Sequence, residues 1–233
     1  MRYSNIVEGI FISRPNRFIA TVVISGTETV VHVKNTGRCR ELLLPGARIY
    51  LEYFPDSSHR RTAYDLIAVE KSNGRLINMD SQVPNVLVKE WLSNQNCSLI
   101  APEYTYGKSR LDFYFEKDQK RFLMEVKGCT LEVDGIGYFP DAPTARGVKH
   151  LSHLAQAVQD GYHPALAFVI QMDGVGRVLP NRATDPEFAD ALLHAYKSGV
   201  EIWFMQCHVE PDAIQIVSRT VFDGDFEDPI KDG

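Results

Sequence analysis

Two acidic residues and a lysine in the middle of the chain have the side-chain types and the spacing of a metal-binding site. Asp112 lies upstream of Glu125, and Lys127 follows Glu125 after a single residue. Carboxylate oxygens are the ligands that Mg²⁺ prefers, and one or two are enough because Mg²⁺ keeps several of its waters. We therefore predict that Asp112 and Glu125 bind Mg²⁺ or Mn²⁺, with Lys127 beside the ion.

A divalent cation at this position would support phosphodiester hydrolysis. Such an ion can activate a water molecule and stabilise charge on a phosphoryl oxygen. The Lys127 ammonium would orient that water or balance the charge of the phosphate. Glu103 or Glu90 would add a further acid, and we take Glu103 as the third metal ligand. The residues predict a nuclease with Asp112, Glu125 and Lys127 as its catalytic group, although such spacing also occurs by chance.

Two predicted strands between Ser109 and Thr130 position these residues. A turn centred on Asp118-Gln119 would place Asp112 opposite Glu125. Two carboxylates facing each other destabilise a sheet, so a bound cation would account for the pair. A slip of one residue would turn a whole strand over. The predicted register also creates one apolar face, which contains Leu111, Phe113, Phe115, Phe122, Met124 and Val126.

A helix predicted from Pro143 to about Asp160 follows this hairpin. Arg146, Lys149 and His150 lie near its start, where positive charges are unfavourable for the helix dipole. An anionic ligand would account for their position, and we predict that all three contact nucleic acid. The alternative interpretation is a solvated basic face.

Residues 1–80 predict a small β-barrel of the OB type. Strands rich in β-branched residues are expected at 18–25, 28–34, 47–54 and 62–70, with a hairpin turn at Gly26-Thr27 and a short helix between residues 35 and 46. OB-folds bind oligonucleotides in grooves of basic and aromatic side chains. A barrel surface without a ligand is an equally good interpretation. The residues predicted to contact nucleic acid here are Arg14, Arg17, Lys34, Arg38 and Arg40.

Residues 81–233 predict an α/β domain with a mixed sheet. A helix over 83–93 and a short strand over 99–103 precede the hairpin, and a glycine-containing loop over 128–140 follows it. The apolar runs 164–171 and 200–207 predict buried strands on either side of a helix over 185–197. This order of strands and helices is that of an α/β fold. The acidic tail from Val221 is expected to be frayed.

Composition indicates a globular protein of the cytoplasm. Of the 233 residues, 44% are hydrophobic, and the formal net charge is -5. The first 80 residues are mildly basic and the remainder is acidic, which fits two modules with different roles. The four cysteines are scattered without a CxxC pair, which argues against a zinc site or a disulfide framework. No signal peptide and no apolar segment long enough for a bilayer is recognisable, so no membrane partner is expected. The oligomeric state is not determined by the sequence, and a dimer is one option.

A series of short motifs resembles one bacterial family along most of the chain. Asp112 with Glu125-Val126-Lys127 resembles the PD-(D/E)xK, restriction-endonuclease-like nuclease fold, with Leu111 where that pattern has proline. The chain as a whole resembles the sugar fermentation stimulation protein A family. The resembling segments are NTG (35–37), LPG (44–46), KE (89–90), YG (106–107), SRLDF (109–113), EVK (125–127), GYFPDA (137–142), RG (146–147), KHL (149–151) and GVEI (199–202).

The resemblance implies an N-terminal OB-like domain, a C-terminal nuclease-like domain, non-specific DNA binding and a link to the regulation of sugar (maltose) metabolism. It carries metal and catalytic roles over to Asp112, Glu125 and Lys127. Two functions therefore compete: a Mg²⁺-dependent nuclease whose OB-like domain grips the strand, and a non-catalytic DNA-binding regulator. A third interpretation makes the acids a surface ion-pair array with Lys127 and Arg110.

Overall fold

The computed structural model describes residues 1–35, 37–56, 58–224 and 226. A closed barrel is followed along the chain by a mixed sheet that carries the helices. Most of the acidic tail, for which the sequence predicts fraying, lies outside the described residues. Within the described part of the chain, no helix has the length and apolar character needed to cross a membrane.

The first domain is a five-stranded OB-type barrel, as predicted. Its strands are β1 (Ile6–Ser13), β2 (Ile19–Ile24), β3 (Thr27–Val33), β4 (Arg48–Tyr53) and β5 (Tyr64–Glu70), and a short strand β6 (Leu76–Asn78) follows. They pair in the order β3-β2-β1-β4-β5-β6, and a parallel contact between β3 and β5 closes the barrel. Val22, Val31 and Leu51 are fully buried, because small barrels are filled by their own side chains.

Strand β1 is absent from the sequence-based prediction because Gly9 interrupts its run of β-branched residues. A Cβ at Gly9 would lie 3.1 Å from both Leu51 Cδ1 and the Val23 carbonyl oxygen. Glycine inside a strand often marks such a close approach. The β2–β3 turn lies at Ser25-Gly26, one residue earlier than predicted, since Ile24 pairs with Thr27. Both turn residues have positive φ, 49° and 83°, as a tight hairpin requires.

The short helix predicted between residues 35 and 46 is wrong, because the described residues of this segment form turns. The Arg14 guanidinium donates hydrogen bonds to the carbonyl oxygens of Asn35 (2.5 Å), Gly37 (2.8 Å) and Arg38 (3.0 Å). Those carbonyls would have to accept backbone N–H groups in a helix. A side chain from a distant part of the sequence therefore determines the local conformation.

The second domain is α/β with a mixed sheet, as predicted, and the sheet has six strands with helices on both faces. Its elements are α1 (Val83–Ser93), β7 (Leu99–Tyr106), β8 (Ser109–Lys117), β9 (Lys120–Cys129), β10 (Leu131–Val133), β11 (Ile136–Phe139), α2 (Ala145–Gln159), β12 (His163–Ile170), β13 (Val178–Pro180), α3 (Pro186–Lys197), β14 (Glu201–Glu210) and β15 (Ala213–Val221). The large sheet has the order β15-β14-β12-β9-β8-β7. Strands β9, β12 and β14 are parallel, whereas the outer pairs are antiparallel.

Polar caps fix the starts of the two helices on one face of this sheet. Thr144 accepts a hydrogen bond from the Gly147 N–H (3.1 Å) before α2, and Asp185 accepts one from the Phe188 N–H (2.9 Å) before α3. Such side chains satisfy N–H groups that have no partner inside the helix. Helix α1 packs on the opposite face of the sheet, where its buried Leu87, Val88 and Leu92 join the core.

The β8–β9 hairpin has the predicted register. Phe113 pairs with Met124 and Phe115 with Phe122, and Asp118 and Gln119 form the turn with φ of 51° and 61°. The predicted apolar face is wrong at Leu111, which packs in the core on the α2 side, whereas Phe113 packs on the α1 side.

The alternation of side chains between the two faces of the sheet fails where β8 and β9 separate and the edge strand β7 is irregular. The hairpin ladder ends at Phe113–Met124. In the neighbouring strand, Glu103 has a φ of 54° and lies between the pairs Pro102–Phe113 and Tyr104–Leu111. Asp112 and Glu125 thus lie just beyond the last hairpin pair rather than in a regular ladder.

Four strands of the second domain, β10, β11, β13 and β15, lie outside the sequence-based prediction. The expected loop over 128–140 contains the β10–β11 hairpin, and β11 pairs with β13 in a small separate sheet. Strand β15 forms an edge of the large sheet and is mostly exposed, so its sequence lacks the long apolar run that identifies β12. Short or half-exposed strands give weak hydrophobic patterns.

Buried polar contacts join the two domains. Lys34 at the end of β3 pairs with buried Asp80 (2.6 Å). The Gln171 amide nitrogen, beyond β12, donates to the carbonyl oxygens of Asn78 (3.1 Å) and Asp80 (3.0 Å). Lys71 and Arg75 of the barrel pair with buried Glu132 of the β10–β11 hairpin, at 2.5 Å and 2.6 Å. These contacts fix the position of the barrel against the sheet.

Candidate metal-dependent active site

Glu125 lies at the centre of the predicted site and is 2% exposed. It is on β9, between two strands, and its side chain faces α2 because Met124 and Val126 face α1. Its Oε1 accepts a hydrogen bond from Lys127 Nζ (2.5 Å) and contacts His150 Nδ1. Its Oε2 is buried and has no hydrogen-bond partner among the described residues. One half of a buried carboxylate is thus left without compensation.

The pKa of Glu125 reflects these neighbours. Burial raises the pKa, but the hydrogen bond to His150 and the charge and hydrogen bond of Lys127 outweigh burial and lower it. The carboxylate is therefore ionised at neutral pH. A buried negative charge with an unpaired oxygen is costly unless a positive group completes it.

Asp112 lies beside Glu125 and is half-buried. Its Oδ2 accepts a hydrogen bond from the Val126 N–H (2.8 Å), and its Oδ1 accepts one from the Asn85 side-chain amide (2.9 Å). Burial and the negative charge of Glu125 raise the pKa of Asp112, although these two hydrogen bonds oppose the rise. The proximity of like charges is the situation that a bound cation would relieve.

Lys127 and His150 hold Glu125 in place from the same side. His150 is buried and accepts a hydrogen bond at Nε2 from Arg146 Nε (3.4 Å). With an acceptor at Nε2, the neutral ring donates from Nδ1 to Glu125.

A divalent cation fits this arrangement. Glu125 Oε2 is a buried carboxylate oxygen without a partner among the described residues, and Asp112 supplies a second carboxylate near enough for the Glu125 charge to raise its pKa. Hard cations such as Mg²⁺ and Ca²⁺ take oxygen ligands, and Mg²⁺ sites commonly use one or two carboxylates and several waters. Within the described residues, no group of three or more His, Cys, Asp and Glu side chains forms a complete cage. The site therefore suits an ion that keeps part of its hydration shell.

The structure does not bring the two additional acids to this pair. Glu103 is 70% exposed at its side chain and pairs with Arg110 (3.6 Å). Glu90 is half-exposed and pairs with the terminal amine of Met1 (3.2 Å). The placement of Glu103 as a third ligand is corrected by this geometry, since the irregular edge strand β7 leaves its side chain in solvent.

The basic residues at the start of α2 differ in position. Arg146 and Lys149 are exposed, and Lys149 Nζ reaches the Lys108 carbonyl oxygen (3.5 Å). Both remain available for an anionic ligand. His150 was predicted to contact nucleic acid, but it is 4% exposed and holds Glu125 instead. Its position follows from the helix, because Gly147, His150 and Leu151 share the buried face.

The predicted cations of the barrel also separate into two groups. Arg14 is occupied by backbone carbonyls, including that of Arg17 (2.8 Å), and Lys34 is occupied by Asp80. Neither is free to bind a phosphate. Arg17, Arg38 and Arg40 are exposed and, with Arg14, line a cavity of about 560 Å³ on the barrel. We call it the arginine cavity.

Asn85 and Gly128 were not identified from the sequence. Asn85 in the first turn of α1 orients Asp112. Gly128 follows Lys127, and a Cβ there would collide with Gln171 Oε1 and lie 2.9 Å from Pro84 Cγ. The glycine lets α1 and the end of β12 approach β9 next to the site. The sequence gives one indication of this role for Asn85, which is its position directly after Pro84 at the start of a predicted helix.

An OB barrel joined to a mixed α/β sheet with an acid–lysine group defines a class of two-domain proteins. Residues 12–79 match the model described as the SfsA N-terminal OB domain, and residues 82–213 match the model described as the sugar fermentation stimulation protein RE domain. The chain belongs to the sugar fermentation stimulation protein family.

Relatives span nearly the whole chain. The sugar fermentation stimulation protein homolog of Desulfitobacterium hafniense is 53% identical over 218 residues, which cover 92% of this chain and 95% of that protein. The homolog of Ruminiclostridium cellulolyticum is 49% identical over 220 residues, with coverages of 93% and 96%. The solved structure of Pyrococcus furiosus SfsA in complex with Ca²⁺ is similar with a TM-score of 0.82 and 28% identity, over 94% of this chain and 96% of that one.

Proposed function

We propose that the protein is a divalent-cation-dependent nuclease, a phosphodiesterase that cuts nucleic acid. The observation that carries the proposal is the buried Glu125 Oε2, which has no hydrogen-bond partner among the described residues and lies in a group that also contains Asp112. The structural relative from Pyrococcus furiosus is described as a complex with Ca²⁺. That description supports a hard-cation site in this family.

Each residue of the group has a role in this proposal. Asp112 and Glu125 hold Mg²⁺ or Mn²⁺, which, when bound, would activate a water molecule and stabilise charge on a phosphoryl oxygen. Lys127 is held by Glu125 (2.5 Å), so its ammonium is positioned to orient a water molecule or balance phosphate charge. His150 is a positioning residue that fixes the orientation of Glu125. Arg146 and Lys149 bind the phosphate backbone from the exposed side of α2.

The test is a cleavage assay on labelled single- and double-stranded DNA and RNA, with Mg²⁺, Mn²⁺ or EDTA. We expect metal-dependent cleavage that falls by about 10²–10³-fold in Asp112→Asn, Glu125→Gln and Lys127→Gln, the loss usual for removing one charge-stabilising group. Glu103→Gln is the matched control, because it removes an exposed acid of the neighbouring strand. Cleavage that is absent with every metal, or that survives Asp112→Asn, would reject the proposal.

A second candidate is a non-catalytic, non-specific DNA-binding protein with a regulatory role in sugar metabolism. Two observations favour it: the group contains two carboxylates rather than a complete cage, and three exposed arginines line the arginine cavity. It predicts gel retardation that weakens steeply with salt. Retardation that persists in Glu125→Gln and is lost in the triple variant Arg17→Gln, Arg38→Gln, Arg40→Gln, without any cleavage, would favour this function.

A further inference from the structure

A second cavity lies between the two domains. Its volume is about 320 Å³, at the small end of the range of about 300–1,000 Å³ found for ligand pockets. Asn35 and Gly37 line it from the barrel, Ser81 from the segment between the two domains, and Gly128, Thr130 and Tyr138 from the α/β domain. We call it the interdomain cavity.

The interdomain cavity lies next to the candidate active site. Gly128 in its wall directly follows Lys127, and Gly128 is in close contact with Pro84 of α1. The next residue of α1, Asn85, donates its hydrogen bond to Asp112. Thr144, which caps α2, also lines the cavity. The cavity therefore lies at the end of β9 that carries Lys127, three residues beyond Glu125.

The lining of the interdomain cavity suits an uncharged polar ring. Its described lining residues include Asp141 but neither lysine nor arginine, so a phosphate has no counter-charge there. Gln171 is 1% exposed, and its amide nitrogen donates to Asn78 Oδ1 and to two carbonyl oxygens. Its Oε1 packs against Gly128 in the cavity wall. An acceptor, a threonine hydroxyl and an aromatic ring are the groups that bind a nucleobase.

The arginine cavity complements the interdomain cavity. Gly37 lines both, and the Asp141 carboxylate accepts a hydrogen bond from the Arg38 N–H (3.0 Å) at this junction. A continuous surface thus runs from exposed arginines, past Gly37, to a cavity whose described lining has Asp141 but no lysine or arginine. Arginines bind phosphates, whereas a small cavity without a basic side chain suits a base rather than a phosphate.

We propose that the interdomain cavity holds one unpaired base of a single-stranded nucleic acid, directly beside the phosphate to be cleaved. The inference rests on the proposed function and adds its substrate class. A base within a duplex is stacked and paired, so it would have to be extruded at a cost in free energy before it could enter. The protein therefore selects single strands, or unpaired positions within duplexes.

The experiment measures binding and cleavage separately. Fluorescence anisotropy with Asp112→Asn, in the absence of turnover, compares a single-stranded oligonucleotide, the same sequence as a duplex, and a series in which one position at a time is abasic, each as DNA and as RNA. We expect tighter binding of the single strand, and one position at which an abasic residue weakens binding about 5- to 100-fold, as for the loss of one base-stacking contact. Wild-type cleavage should show the same preference.

Filling the interdomain cavity with a larger side chain provides an independent test. Ala142 lines the interdomain cavity, so Ala142→Trp should weaken single-strand binding at least about 5-fold and remove the effect of the abasic position. Val133→Trp is the control, because Val133 is an exposed residue of β10 outside the lining. Thermal unfolding checks both variants, and the abasic series on the unfilled protein decides if Ala142→Trp does not fold.

The outcomes separate this inference from the nuclease proposal. Equal binding of duplex and single strand, or an abasic series without a position effect, overturns the inference even if DNA is cut. A clear position effect without cleavage under any metal supports the cavity assignment and rejects the nuclease. Loss of all binding to nucleic acid rejects both.

Discussion

Two buried glutamates of similar exposure lie in contrasting surroundings. Glu132 is 5% exposed, and both of its oxygens have partners: Oε2 meets Lys71, whereas Oε1 meets Arg75 and the Gly135 N–H (2.7 Å). Glu125 is 2% exposed, and its Oε2 has no partner within the described residues. The first is a completed ion cluster that joins the barrel to the sheet, and the second is incomplete.

The contrast between Glu132 and Glu125 separates a structural buried charge from a functional one in this fold. Removing one partner from a completed buried ion cluster strongly lowers the free energy of unfolding, because the remaining charges are then uncompensated. An incomplete cluster next to a raised-pKa carboxyl group persists at a cost, which is the basis of the proposal that a metal ion completes it.

Removal of the Glu132 charge should have the largest effect on stability. We expect Glu132→Gln to lower the free energy of unfolding by about 3–5 kcal/mol, since Lys71 and Arg75 lose their counter-charge. Urea denaturation measures the change. Asp190→Asn is the control, because it breaks the exposed Arg182–Asp190 pair (2.8 Å) and should cost at most about 1 kcal/mol. Equal effects of the two variants would contradict the structural assignment of Glu132.

The contribution of Glu132 to stability should also depend on pH. Burial raises its pKa, but hydrogen bonds from Lys71, the Gly135 N–H and Arg75 outweigh burial and lower the pKa to about 2. Because the pKa is lower in the folded state, the Glu132 carboxylate makes its full contribution to stability when the pH is above the unfolded-state pKa of about 4.3. That stabilisation is lost as the pH falls from there towards 2. The stability difference between wild type and Glu132→Gln should shrink over this range, and a constant difference would count against the ion cluster.

Calcium or magnesium should stabilise the wild-type protein through the incomplete cluster. At a free metal concentration 100 times the dissociation constant, we expect a gain of about 2.7 kcal/mol in unfolding free energy. Asp112→Asn should abolish the gain, and Glu103→Gln should keep it, because Glu103 lies in solvent. Calorimetric melting with and without EDTA makes the measurement. An equal gain in all three proteins would mean that the ion binds elsewhere.

Neutralising Asp112 in the absence of metal should have the smallest effect. Burial and the nearby charge of Glu125 raise the pKa of Asp112, so its ionised form opposes folding. We expect Asp112→Asn to raise the unfolding free energy at pH 7 by no more than about 1 kcal/mol. Because protonation relieves the same cost, the advantage should vanish as the pH falls through the raised pKa. A loss of several kcal/mol would show that Asp112 is a structural residue.

Local signals were sufficient for the hairpin and the main helices. The register of β8 and β9 follows from alternating apolar residues and a turn at Asp118-Gln119, and the start of α3 follows from the cap at Asp185. Helix α2 begins at Ala145, after the Thr144 cap, two residues later than predicted. These features depend on neighbours in sequence. The same is true of the closeness of Asp112 and Glu125, which a single hairpin establishes.

Tertiary contacts determined what the sequence could not predict. Arg14 and Lys34 have the same charge as Arg38 and Arg40, yet the former two are enclosed by carbonyls and by Asp80. His150 resembles a surface base in a basic segment, and only the packing of α2 on β9 turns it towards Glu125. Charge alone does not distinguish a basic side chain that neighbouring groups hold from one that is free to bind a ligand.

Gly128 has a consequence for recognising distant relatives. A side chain after Lys127 would force its neighbours to shift, because a Cβ there would collide with Gln171 Oε1 and lie 2.9 Å from Pro84 Cγ. The local sequence that this architecture favours is therefore Glu-x-Lys-Gly rather than Glu-x-Lys. A search restricted to the longer signature, with an Asn or Gln in the first turn of the preceding helix, should reject chance matches that the shorter one admits.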